Sequence, residues 1–108
     1  MAKKNARKWN RSNTFRRQKS NHDRVGHPVL VYGRSKQFRK YLIFTHTPEV
    51  GHENEYEELK YNIDPNEKDK KTYVGKRPRV SEERSLSKPD KKYRIHEIDK
   101  PTIKKYKK

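Results

Sequence analysis

Apolar residues fall on successive positions in two short runs, PVLVY (28–32) and YLIFT (41–45), inside a chain that is otherwise mostly polar. Both runs are β-branched and aromatic and too short for buried helices, which predicts two strands covered on both faces. Residues 33–40 between them, with Arg34, Lys36, Arg39 and Lys40, read as a basic hairpin loop somewhat longer than the commonest turns. After Thr47, PEVGHENE is an acidic loop containing Gly and Pro. EYEELKYNI then fits either a strand or a helical turn through Tyr56, Leu59 and Ile63, with the strand favoured. DPNEKDKK is a turn-rich linker, and TYV (72–74) a short strand. KRPRV and SEERSLSKPDKK show no period and read as irregular. Tyr93 and Ile95 alternate with Arg94 and His96 as an edge strand would, and IDKPTIKKYKK closes as a short helix with Asp99 as its candidate cap.

These elements predict a mainly β protein, a small SH3-like barrel or rolled antiparallel sheet of four or five short strands. Rolling protects strand edges that a small core cannot otherwise cover. The expected division is a disordered basic arm over 1–24, a β-rich core over 25–80, and a basic extension over 81–108 carrying the edge strand and terminal helix. Trp9 and Phe15 are the large apolar side chains of the first segment, set among cations.

Composition narrows the picture. With 108 residues, 27% hydrophobic and 41% charged, one small domain is the most the chain can hold, and flexible basic ends are expected around it. It has no cysteine, which excludes disulfide scaffolds and cysteine-based zinc sites and fits a reducing, cytoplasmic setting. No apolar run approaches the roughly 18 residues of a membrane span, nor does an apolar stretch follow the basic N-terminus as in a signal peptide, so no membrane association is expected.

The net charge of +16 is patterned. Basic residues outnumber acids nine to one over 1–24, four to none over 25–47 and thirteen to five over 73–108, while acids lead eight to four over 48–72. Cationic ends of this kind favour a polyanion, because each neutralised phosphate releases counterions. A merely solubilising surface or a basic membrane-surface segment would carry similar charge, but rings interleave with the cations and no amphipathic stripe is visible. Nucleic acid is therefore the expected partner, RNA over duplex DNA because no recognition helix is apparent. Arg7, Arg11, Arg16 and Arg17 would contact it from the arm, and Arg34, Lys36, Arg39 and Lys40 from the hairpin.

Other chemistry finds little support. His46, His52, Glu49 and Glu53 lie close together without a recognised metal-ligand spacing, and EVGHENEYEE lacks a calcium-loop pattern, so neither a metal nor a cofactor is expected. There is no phosphate-binding glycine loop or nucleophile elbow.

His27-Pro28-Val29-Leu30-Val31 resembles the Arg-Pro-x-Leu-Val strand of MazF/PemK-like toxins, and YLIFTHT resembles a later strand of that family ending in a functional threonine. The resemblance covers roughly residues 25–50. It implies an SH3-like barrel with metal-independent endoribonuclease activity, in which a 2′-hydroxyl attacks the adjacent phosphate, and a homodimer blocked by an antitoxin. His27 would take the place of the family's arginine, as a titratable group suited to general acid or base work, and Thr45 or Thr47 the place of its threonine. The chain departs from the family in showing no opening strand with a Gly-Asp signature before His27. The run Asn62, Asp64, Pro65, Asn66, Asp69, Tyr73 also looks like small proteins of Gram-positive mobile elements, which raises a third expectation, binding to a host nucleoprotein complex.

Overall fold

The two apolar runs become β2 (Pro28–Ser35) and β3 (Phe38–Thr45) in the computed structural model, which describes residues 14–19, 26–67 and 69–108. Alternation along the pleat divides their side chains between two cores. Leu30, Leu42 and Phe44 enter one, and Val29, Val31, Tyr41 and Ile43 the other, so both faces of the hairpin are covered. The connection is shorter than the loop expected over 33–40. Ser35 pairs with Phe38, leaving a two-residue turn at Lys36 and Gln37 in which Lys36 takes φ 53°. Arg34, Arg39 and Lys40 therefore sit on strands. Polar residues continue these strands because cross-strand hydrogen bonds do not require apolar side chains.

The arm expected over 1–24 does not include residues 14–17. They form β1 (Thr14–Arg17), antiparallel to β2 with Phe15 opposite Leu30. Phe15 is only 9% exposed, and its ring meets those of Phe44 and Tyr93 at 5.4 and 5.6 Å. A strand thus precedes His27 after all, although one inward side chain among cations gives too weak an alternation to announce it. The rest of the expected arm, apart from Gln18 and Lys19, lies outside the described residues.

β3 serves two partners along its other edge. Its first half pairs with β6 (Arg79–Glu82), and its last residues with β5 (Tyr73–Gly75), which in turn pairs with β4 (Tyr56–Glu58). β6 replaces the irregular stretch expected there. Arg79 and Val80 are exposed, so its placement comes from backbone pairing with β3 rather than from an apolar face. After β6 a 3-10 turn at Glu83–Ser85 redirects the chain along the free edge of β1. There Lys19 N–H donates to Ser85 O (3.0 Å), Ser87 N–H to Arg17 O (2.8 Å) and Asp90 N–H to Phe15 O (2.7 Å). The sheet thus rolls until both edges of β1 are paired, which is the mainly β architecture expected. Gly26 is required beside this seam, since a Cβ there would stand 1.7 Å from Gln18 O.

The core also reaches past residue 80. Leu86, Tyr93 and Ile103 are buried, the last on α1 (Lys100–Tyr106), the short terminal helix expected. Residues 93–96 do not form the expected edge strand. They lie outside the sheet, with Arg94 N–H on Ile63 O at 2.7 Å and Ile95 packed on the core. Asp99 precedes α1 but makes no side-chain cap. Its buried carboxylate accepts instead from Lys60 N–H at 2.9 Å and Tyr61 N–H at 3.0 Å, tying the segment after β4 to the start of the helix. Bonds to these two backbone donors take the place of a helix cap.

Candidate nucleic-acid interface

The β2–β3 register sets Arg34 directly opposite Arg39 and Lys40 opposite Gly33. Like charges facing across strands are unfavourable, so this end of the hairpin is not arranged for stability alone. Arg34, Arg39 and Lys40 line a shallow depression of about 280 Å3 together with Phe38 and Val80, both well exposed. Arg39 is oriented by donating from Nη1 to Lys36 O (2.9 Å) and Phe38 O (3.0 Å), and desolvation followed by the Arg34 charge lowers its pKa. Lys36 occupies the turn.

The cations expected on the arm have different surroundings. Arg16 is built into the rolled sheet, paired with Glu83 at 2.6 Å while donating to the Ser87 and Leu86 carbonyls. Its charge is spent on closure, and it holds the Glu83 carboxyl below the usual carboxylate range. Arg17 donates to the Tyr93 hydroxyl and lies 3.9 Å from Asp90. Arg7 and Arg11 lie outside the described residues.

His27 and Thr45 border one cleft of about 290 Å3, at the start of β2 and the end of β3. Arg17, His46, Lys92, Asp64 and Glu67 also line it. Partial burial, then the charges of Arg79 and His46, hold the His27 imidazole below its ordinary pKa, which keeps it neutral and able to accept a proton near pH 7. His46 is fixed by a 2.8 Å contact between Nδ1 and Lys71 O, with Nε2 3.7 Å from Glu67. Thr47 is exposed and lies off the cleft; its N–H donates to Thr45 Oγ1, which in turn reaches Thr47 O, both at 3.2 Å. The two threonines left open by spacing are thus distinguished by position.

A larger depression, about 800 Å3, contains none of the cations or catalytic candidates expected from sequence. Phe15, Leu30, Ile95 and Ile103 form its apolar floor, Tyr32 and Tyr93 contribute rings, and Arg94, Lys100, Lys104 and Lys107 edge it with no carboxylate in the lining. Lys107 Nζ stands 5.8 Å from the Tyr32 ring centroid, and its partial burial lowers its pKa. The one sequence signal was the density of lysine after residue 99. Their convergence on Tyr32 depends on α1 folding back across the sheet.

Among the described residues, no cluster of three or more His, Asp or Glu side chains is set to hold a metal ion, and no helix is long and apolar enough to cross a membrane. His52 is engaged by Glu55, which raises its pKa. No protein-family model matches the chain, and comparison with curated proteins and with solved structures finds no match.

Proposed function

We propose that this chain binds nucleic acid, gripping single-stranded RNA chiefly through its phosphates while rings and apolar surface receive bases. The observation that carries this reading is the depression where the partly exposed Tyr32 ring lies within a rim of Arg94, Lys100, Lys104 and Lys107 that contains no acid. A polyanion gains there by counterion release, and a flat base gains by leaving water for a ring. The hairpin cations meet the same strand one residue further on, at Gly33, and extend the positive surface. RNA is preferred to duplex DNA because, among the described residues, the one α-helix has seven residues and buries Ile103 against the core, so none of them offers a long helix to a major groove.

The test is a titration of end-labelled single-stranded RNA across a salt series. Log K should fall linearly with log salt, by about 0.7 per phosphate contact. Affinity indifferent to salt rejects the mechanism.

A second reading, a diverged MazF/PemK-like endoribonuclease, is favoured by one observation: His27 and Thr45 share a cleft with Arg17 and Lys92. Neutral His27 would take the proton of the 2′-hydroxyl as its oxygen bonds to phosphorus, the P–O5′ bond would break to leave a 2′,3′-cyclic phosphate and a 5′-oxygen protonated from water, and the two cations would hold the phosphate. Discrete fragments formed in EDTA, absent with His27→Ala and Thr45→Ala, would support it. Intact RNA after long incubation with folded protein would reject it.

A further inference from the structure

On the other side of Arg94 and Ile95 lies a depression of about 780 Å3, walled by the segment that follows β4. Leu59 and Ile95 contribute its apolar surface, Glu58, Asp64 and Asp69 line it together with Lys60, Lys70, Lys71 and Arg94, and Tyr61 and His96 form a stack along it, with centroids 4.0 Å apart and planes inclined by 19°. Neither ring is part of the core, for Tyr61 is 50% exposed and His96 is exposed as well. Both are nevertheless held in place. The Tyr61 N–H is bound by the buried Asp99 carboxylate, and His96 Nδ1 accepts the Ile98 N–H at 3.1 Å, which leaves the neutral ring's proton on Nε2. With the Tyr61 backbone anchored and the His96 ring oriented by its hydrogen bond, the stacked pair is a partly preorganised surface, which lowers the ordering cost a ligand must meet. Beside it, the Lys60 ammonium and the Arg94 guanidinium have no partner among the described residues.

We propose that this depression is a subsite for one unpaired base of the bound RNA strand, with the base extending the Tyr61–His96 stack and its flanking phosphates resting on Lys60 and Arg94. The inference rests on the RNA-binding reading and adds a base-contacting element to it. Arg94 borders both this depression and the one holding Tyr32 and Tyr93, so a strand crossing it can place neighbouring bases on either side.

The experiment compares a short single-stranded RNA with the same ribose-phosphate strand lacking its bases, each titrated across a salt series. Tyr61→Ala should weaken binding of the base-bearing strand by about 5- to 150-fold, the equivalent of roughly 1–3 kcal/mol of stacking per base, while leaving the abasic strand and the salt slope unchanged. His96→Asn keeps an acceptor for the Ile98 N–H and should act in the same direction, whereas Tyr61→Trp should preserve affinity. Tyr61→Leu retains bulk without a ring face, so it separates stacking from support of the loop and should behave as Tyr61→Ala. Equal affinities of Tyr61→Ala and wild type for the base-bearing strand, or equal losses on both strands, overturn the subsite and leave salt-dependent RNA binding standing. Absence of any RNA binding by the wild-type chain overturns both.

Discussion

Phe15→Ala is the sharpest test of the rolled sheet. If residues 14–17 were an arm, removing the ring would cost almost nothing. In the structure Phe15 is 9% exposed, opposes Leu30, and touches the rings of Phe44 and Tyr93, so its removal leaves a cavity where β1, β2, β3 and the segment before α1 meet. Such Phe→Ala changes cost about 3–5 kcal/mol, a large part of the roughly 5–15 kcal/mol that holds a domain together. At about 4 °C per kcal/mol for a chain of this size, the thermal midpoint should fall by about 12–20 °C. Circular dichroism during heating and during urea unfolding reads both quantities. Phe38→Ala, at the exposed end of the hairpin, is the control and should stay within about 0.5 kcal/mol of wild type. If Phe15→Ala is equally mild, β1 is not a structural strand and the reasoning about sheet closure is wrong.

Asp99→Ala removes the acceptor of two backbone N–H groups and should destabilise by at least ~1–3 kcal/mol, with faster hydrogen exchange at Lys60 and Tyr61; unchanged exchange there would contradict the clamp. Arg16→Ala should lower the melting temperature through loss of the Glu83, Ser87 and Leu86 contacts. Arg34→Ala should reduce the salt slope of RNA binding by about 0.7, whereas Arg16→Ala should leave that slope nearly unchanged; the reverse would reject the assignment of Arg34 to binding and of Arg16 to closure of the sheet. Imidazole NMR titration should place His27 below 6.5 and His52 above it. The depressed His27 pKa contributes stability that is complete above 6.5 and lost as pH falls from there through the folded value, whereas the His52–Glu55 contribution is complete below 6.5 and lost as pH rises through the raised value. Burial is the larger cause for His27, so Arg79→Gln should raise its midpoint only partway towards 6.5, and no movement would exclude the Arg79 charge as a cause.

The amino-acid sequence by itself determined the centre of this protein. Seven apolar residues on successive positions of two short runs, Val29 to Val31 and Tyr41 to Phe44, have no solution except strands buried on both faces, and all seven are buried. The TYV strand and the terminal helix were legible for the same reason, since β-branched residues and a Pro-led helix start carry their preference locally. Tertiary structure decided the rest. β1 and β6 have almost no apolar face of their own and exist because β2 and β3 present edges to pair with, which no local pattern can announce. The convergence of His27, Thr45, Arg17 and Lys92 on one cleft, and of α1 lysines on Tyr32, joins residues up to about 75 positions apart. Asp99 shows the difference in a single side chain. Its position before the helix follows from sequence, but the partners of its carboxylate were set by whichever backbone donors the fold brought within 3.0 Å.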